Sequence, residues 1–243
     1  MTKPFLSVVI PAYNEEHRIL PTLENLDEYL LKQPYTWEVV VADDGSIDQT
    51  AKIVKKFSKG RSNFFLQSIP HGGKGSAVRA GMLFAKGEYR FLCDADLSMP
   101  IQHLERFLPP KLTGFDIALG SREVMGSHRF GESPIRHIQG RFFNLFVRLV
   151  AVPGIHDTQC GFKCFRDEVA ISLFSLQRCN GWGFDVEILF LARKIGFSMI
   201  EIPIDWHHNP NSGAQRLQDG LFMGLETLRL RWNAFRGKYG ILN

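Results

Sequence analysis

Asp94 and Asp96 stand one residue apart in CDADLSMP, residues 93–100, where the apolar run of EYRFLC ends. In an extended segment alternate side chains share a face, so both carboxylates can reach one point. Two carboxylates this close repel unless a cation or a set of donors sits beside them. A hard divalent ion, Mg2+ or Mn2+, takes oxygen ligands and completes its shell with water and phosphate oxygens, which suits such a pair. The plain alternative is a solvated acidic turn capping the next helix. A second acidic turn, Asp43-Asp44-Gly45-Ser46, follows the run VVVA. Asp, Gly and Ser favour turns in any case, but acidic strand ends side by side ask for a cation or for donors such as nucleobase N–H and ribose hydroxyl groups. HGGKGSAVRAG, residues 71–81, adds Lys74 and glycine-flanked backbone N–H groups at a predicted helix start, a setting suited to phosphate if it is more than a flexible loop.

These loops need a frame. FLSVVIPAYNEE reads as a buried strand over 6–10, stopped by Pro11, then a helix over about 15–31 with Ile19, Leu23, Leu26 and Leu30 on one face. WEVVVADDGSIDQTAKIVKKF repeats strand, acidic turn and helix, with Asp48 as the expected N-cap. NFFLQSIPHGGKGSAVRAGMLF and EYRFLCDADLSMPIQHLERFL repeat it twice more. Unbroken apolar strands alternating with helices predict an α/β fold with a mostly parallel sheet covered on both faces. Ligands of such sheets bind outside the carboxyl ends of the strands, which is where the acidic and glycine-rich turns fall. Neither a Gly-x-Gly-x-x-Gly after the first strand nor a Walker lysine motif is present, so the commonest nucleotide loops are excluded.

Beyond residue 121 the pattern changes. SREVMGSHRFGES reads as a mobile loop. PIRHIQGRFFNLFVRLVAV predicts a basic amphipathic helix over 135–151, with His137, Arg141, Asn144 and Arg148 on one strip and Ile138, Phe142, Leu145, Phe146 and Leu149 opposite. Part of its apolar side is free to pack on the sheet; the remainder, with Phe142, Phe143 and Phe146, suits a membrane surface. A second apolar stripe runs through Leu217, Leu221, Leu225, Leu228, Trp232 and Phe235. The net charge of +4 is concentrated there, since Arg216, Arg229, Arg231, Arg236 and Lys238 face only Asp219 and Glu226, and an anionic partner follows for that face. The four cysteines are too irregularly spaced for a disulfide framework or a zinc site, which predicts reduced thiols in a cytosolic setting. No stretch approaches a membrane span.

VVIPAYNEE, VVVADDGSIDQT, GKGSAVRAG, CDADLSMP, LGSR and DTQCGFKCF, in this order, resemble the family 2 glycosyltransferases of the GT-A fold. More narrowly they resemble the polyprenyl-phosphate group, which includes dolichyl-phosphate glucosyl- and mannosyltransferases. The resemblance covers residues 5–235. It implies a Rossmann-like GT-A domain over 1–243, with a nucleotide-sugar half (1–120) and an acceptor half with interfacial helices (121–243). It implies that Pro11, Ala12, Tyr13, Glu15, Asp43, Asp44, Lys74, Asp94, Ala95 and Gln159 bind the nucleotide sugar. Asp94 and Asp96 would hold Mg2+ or Mn2+ on the diphosphate. Arg122, Arg136 and Ser212 would bind the acceptor phosphate, and Asp96, Arg122, Asp157 and Asp185 would line the reacting centre, with Asp157 orienting a sugar hydroxyl or the acceptor. Relatives often carry Gly-Ser-Lys after the last strand; DWHHNPNSGAQR keeps Ser212 without the lysine, leaving His207, His208 or Arg216 to substitute.

The implied reaction is metal-dependent, inverting transfer of a hexose to a polyprenyl phosphate at the cytoplasmic face of a membrane, with no nucleic-acid partner. UDP-glucose is the first expected donor and GDP-mannose the second. A soluble or polysaccharide acceptor, or a nucleotide-sugar-binding protein without catalysis, are the rival readings.

Overall fold

The computed structural model describes residues 3–208 and 217–241. The first half is built as the apolar periodicity predicts. Strands β1 (Leu6–Ala12), β2 (Trp37–Asp43), β3 (Phe64–Ser68) and β4 (Tyr89–Leu92) alternate with helices α1 (Ile19–Leu30), α2 (Thr50–Ser58) and α3 (Lys74–Phe84). Strand β1 runs through Pro11 to Ala12 beside β2 rather than stopping at Ile10, and the helix expected after β4 is a 3-10 helix, Ile101–Phe107. Then come β5 (Ile117–Ser121), β6 (His128–Phe130), α4 (Pro134–Val150), β7 (Lys163–Arg166), α5 (Asp167–Leu176), α6 (Phe184–Ile195), β8 (Met199–Pro203), β9 (Asp205–His207) and α7 (Leu217–Phe235).

Seven strands form one sheet in the order β3-β2-β1-β4-β7-β5-β8. The β1–β2, β2–β3, β1–β4 and β5–β8 pairs are parallel, and β7 runs antiparallel to both its neighbours. The period of two in each strand divides its side chains between two cores. Val8 and Ile10 join Leu23 and Leu26 of α1 on one face, while Val9 and Val40 join Val78 and Met82 of α3 on the other.

Some boundaries and one element differ from expectation. Helix α1 starts at Ile19, because residues 14–16 are bonded sideways to the next loop: the Glu15 N–H reaches Thr50 Oγ1 and the Glu16 N–H reaches Asp48 Oδ2. Asp48 also accepts the Thr50 N–H at 2.9 Å, serving the start of α2 from one residue before its formal cap position. The segment read as a loop after residue 121 contains β6, paired in parallel with β9 and fastened by Phe130 stacked on His207 at 4.6 Å. Three residues with no apolar alternation leave no signal for such a strand.

Helix α4 also presents a different side to the core. Asn144 and Val147 face inward, and the Asn144 amide oxygen accepts the Thr158 hydroxyl at 3.1 Å. Of the three phenylalanines expected at a membrane, only Phe142 points outward; Phe143 and Phe146 pack partly against the core. Among the described residues no helix is long and apolar enough to cross a membrane, and all four cysteines are free.

Candidate active site

The carboxyl ends of β1, β2 and β4 lie side by side, so the residues that follow them share one edge of the sheet. Pro11 and Ala12 end β1, and Tyr13 stands beyond them, exposed and stacked on His71 with ring centroids 4.2 Å apart. Asn14 takes a left-handed backbone (φ 54°) that its side chain stabilises by accepting the Ile47 N–H. Glu15 forms a two-point ion pair with Arg18 at 2.6 and 2.8 Å. Burial pushes the Glu15 carboxyl upward, outweighing the pull of Arg18.

The β2 turn holds its own loop together. Asp43 accepts the Ser46 N–H at 3.2 Å. The Asp44 carboxylate, almost fully buried, accepts the N–H groups of Gly72 and Gly73, each at 2.9 Å, and contacts His71. The Gly72 and Gly73 N–H groups are therefore engaged by Asp44 within the chain. What this loop delivers is Lys74.

Lys74 Nζ lies 2.8 Å from Asp94 Oδ1 and 4.9 Å from the centre of the Trp182 ring. Burial opposes both charges, but the pairing outweighs it, raising the Lys74 pKa and lowering that of Asp94. The far side of Asp94 is closed by Gly161, where an added Cβ would meet Asp94 Oδ2 at 1.9 Å. Ala95 is buried and its carbonyl accepts the Thr22 hydroxyl. Among the described residues Asp96 accepts only the Ser98 N–H, at 3.0 Å, in a turn where Leu97 has φ 45°. Asp96 is thus the more open carboxylate of the pair.

Two further ion pairs border this one. Arg122, at the end of β5, donates from Nε and Nη2 to Asp157 at 2.7 and 2.9 Å, and its guanidinium lies 5.4 Å from the Trp206 ring. Burial works against the Asp157 charge, yet Arg122 holds its carboxyl down at about 2. Asp157 is fully buried, and its own loop is held by Glu201, which accepts the Asp157 N–H at 3.0 Å. Lys163, buried in β7, reaches the Cys160 carbonyl at 2.5 Å and Asp185 at 2.6 Å. For Asp185 burial prevails over Lys163 and Lys74, and its carboxyl is raised.

Glu15, Lys74, Asp94, Asp96, Arg122, Asp157 and Asp185 are therefore gathered at one edge of the sheet, while Asp43 and Asp44 order the flank beside Tyr13. Gln159 points toward α7, its amide 3.5 Å from Met223 Sδ. Arg136 lies in the first turn of α4, with its side chain outside the described residues; Ser212 and Arg216 also lie outside them. Gly161, Lys163, Trp182 and Trp206 were not legible as site residues. A lysine inside an apolar strand segment was the one available signal, since lysine is almost never buried without a partner.

Among the described residues no group of three His, Cys, Asp or Glu side chains is arranged to hold a metal alone. The hard carboxylate oxygens of the Asp94–Asp96 turn, with Asp96 open, fit an ion whose remaining ligands come from water and a diphosphate.

Residues 7–174 match the family described as Glycosyl transferase family 2. The chain is 35% identical to the dolichyl-phosphate beta-glucosyltransferase ALG5D of Trichomonas vaginalis, over 93% of this chain and 72% of that protein. It is 32% and 33% identical to the dolichyl-phosphate beta-glucosyltransferases of Dictyostelium discoideum and Homo sapiens, over 98% and 96% of this chain and 77% of each relative. Its fold matches glucosyl-3-phosphoglycerate synthase from Mycobacterium tuberculosis in complex with UDP, with a TM-score of 0.70 at 18% identity over 99% of this chain and 82% of that one. The same enzyme in complex with Mn2+, UDP-glucose and glycerol 3-phosphate matches at 0.67, with 18% identity over the same shares of the two chains. The chain belongs to glycosyltransferase family 2 and is a glycosyltransferase of the GT-A fold.

Proposed function

We propose that this enzyme transfers glucose from UDP-glucose to dolichyl or another polyprenyl phosphate, with inversion, at a membrane surface. The observation that carries this reading is the placement of the Asp96 carboxylate, Lys74 and Arg122 at one sheet edge, in a chain whose similar curated proteins are dolichyl-phosphate beta-glucosyltransferases. The whole chain is read as one catalytic domain, its first 120 residues facing the donor and the rest the acceptor.

The chemistry follows from the charges. Joining a nucleotide sugar to a phosphate monoester brings two anions together, and the acceptor's second ionisation lies near 6, so it needs little deprotonation at neutral pH. Positioning and charge neutralisation are the larger tasks. Neither buried carboxylate serves as a base in this reading: Asp157, held at about 2, is a poor proton acceptor, and Asp185 is bound to Lys163. Asp157 instead sets the plane of the Arg122 guanidinium, whose other N–H donors remain for phosphate. Lys74 neutralises charge beside Asp94, and Tyr13 offers a face to the base. Asp96, with Asp94, would hold Mg2+ or Mn2+, which supplies Lewis-acid stabilisation of the leaving diphosphate.

The acceptor's lipid tail calls for a surface. Ile138, Phe142, Leu145 and Leu149 of α4 are exposed, as are Phe222, Leu225, Leu228, Trp232 and Phe235 of α7. The two helices pack together, with Gly224 against Phe146, so both apolar stripes border one junction. Arg141, Arg148, Arg229 and Arg236 flank them, and α4 contains no acidic residue. An apolar face with a basic border fits an anionic bilayer surface.

The test is release of nucleoside diphosphate from UDP-glucose and from GDP-mannose, with and without dolichyl phosphate and Mn2+ or Mg2+, alongside Asp96→Ala. Release from UDP-glucose that needs both lipid and metal, and is lost in the variant, is expected. Release from GDP-mannose alone would change the donor. Turnover without lipid would overturn the polyprenyl acceptor.

A further inference from the structure

Behind the loop 179–183, on the side away from Lys74, lies a pocket of about 420 Å³ between α6, α7 and the C-terminal residues 238–239. This volume is in the range of small-molecule sites. The loop itself has one face on each side: Trp182 covers Lys74 in the candidate active site, whereas the Gly183 N–H donates to Glu226 of the pocket at 2.8 Å.

The lining has both signs of charge. Arg178, Arg229 and Lys238 are exposed at it, and none has a carboxylate within ion-pair distance among the described residues. Two carboxylates lie deeper. Glu187 is buried and accepts three hydrogen bonds, from the Arg178 and Cys179 N–H groups at 2.9 and 2.7 Å and from the Tyr239 hydroxyl at 2.5 Å. Glu226 is half-buried, with its two oxygens against Gly181 and Gly183; it accepts the Gly183 N–H at 2.8 Å and the Cys179 thiol, and a carboxylate has further acceptor capacity beyond these two. A ligand carrying only negative charge would meet Glu226, and one carrying only positive charge would meet the three cations. A ligand with a phosphate toward the rim and an ammonium toward Glu226 satisfies both.

The position of the pocket on α7 decides what such a ligand is attached to. Glu226, Arg229 and Asn233 follow at i, i+3 and i+7, so they share one strip of the helix. The exposed Leu225, Leu228 and Trp232 each precede one of these by a single residue and form the adjoining flank. A headgroup in the pocket would therefore have its acyl chains beside the apolar stripe. We propose that this pocket binds the phosphoethanolamine headgroup of a membrane phospholipid. The inference rests on the reading of the α4–α7 face as the bilayer surface.

The experiment uses the full chain and dihexanoyl-phosphatidylethanolamine below its micelle concentration, titrated by calorimetry against dihexanoyl-phosphatidic acid, which lacks the amine. Saturable binding is expected, about tenfold tighter for the ethanolamine lipid. Arg229→Gln with Lys238→Gln, both exposed positions, should weaken it about tenfold, and Glu226→Gln should erase the preference for the amine. Equal affinity for the two lipids, or no response to the Arg229 and Lys238 changes, would overturn the site. Co-sedimentation with vesicles of phosphatidylcholine and phosphatidylglycerol, which lack ethanolamine, tests the bilayer reading separately. Vesicle binding without discrimination between short-chain lipids would remove the pocket and leave the membrane face; the reverse result would retain the pocket and remove the face.

Discussion

Arg122 and Asp157 form a closed fork: two guanidinium bonds at 2.7 and 2.9 Å, and the Arg122 backbone N–H on the same carboxylate at 3.0 Å. The carboxyl is held at about 2 in the folded protein and returns to about 3.9 on unfolding. Its stabilising contribution is therefore complete above about pH 4 and lost as pH falls toward about 2. Asp157→Asn should cost about 3 kcal/mol at neutral pH by leaving Arg122 unpaired. Denaturant titrations from about pH 7 to pH 3 should show the gap between the two proteins constant at first and narrowing below about pH 4.

Gly161→Ala tests whether Asp94 must sit where it does. The added methyl carbon would meet Asp94 Oδ2 at 1.9 Å and force the carboxylate away from Lys74. A loss of about 100-fold in kcat/KM is expected, with unfolding free energy lowered by about 1–3 kcal/mol, as for overpacking at a buried site. Near-normal turnover would show that the Lys74–Asp94 contact is dispensable.

Lys163 and Asp185 form a buried pair within 2.6 Å, so removing one partner strands the other. Lys163→Met alone should cost about 3–5 kcal/mol, and Lys163→Met with Asp185→Leu should recover much of it. A double-mutant cycle reads the coupling. Because Asp185 is assigned no proton-accepting role, Asp185→Asn should lower the rate without changing the shape of its pH profile.

Tyr13 is exposed and stacked on His71, and in the proposed function its open face meets the nucleobase. Tyr13→Ala should raise the donor KM about tenfold, with kcat little changed, in steady-state assays over a donor range.

Phe142→Glu and Trp232→Glu place charges on the exposed faces of α4 and α7. Co-sedimentation with anionic vesicles should fall sharply, while stability stays within about 0.5 kcal/mol, as for other exposed positions. Unchanged vesicle binding would argue that the face meets something other than a bilayer.

By itself the sequence determined the strand-and-helix alternation of the first half and the edge at which the chemistry gathers. Runs such as VVI and VVVA have no polar alternation and must be covered on both faces, and Asp43 and Asp94 mark where β2 and β4 emerge, whereas β1 runs past the stop expected at Pro11 to Ala12. The six ordered motifs carried the family. Only the tertiary structure decided how the charges are used. Asp44 is bonded to glycines 28 and 29 residues away, Arg122 to Asp157 at a separation of 35, and Lys163 to Asp185 at 22. Local periodicity reports which face of an element is apolar, but not which distant charge will be buried against it. For the same reason the inward turn of Asn144, the antiparallel β7 and the β6–β9 pair appeared only once the chain was folded. Each is fixed by a partner remote in sequence, and pairing across such distances leaves no mark in the spacing of residues along a single segment.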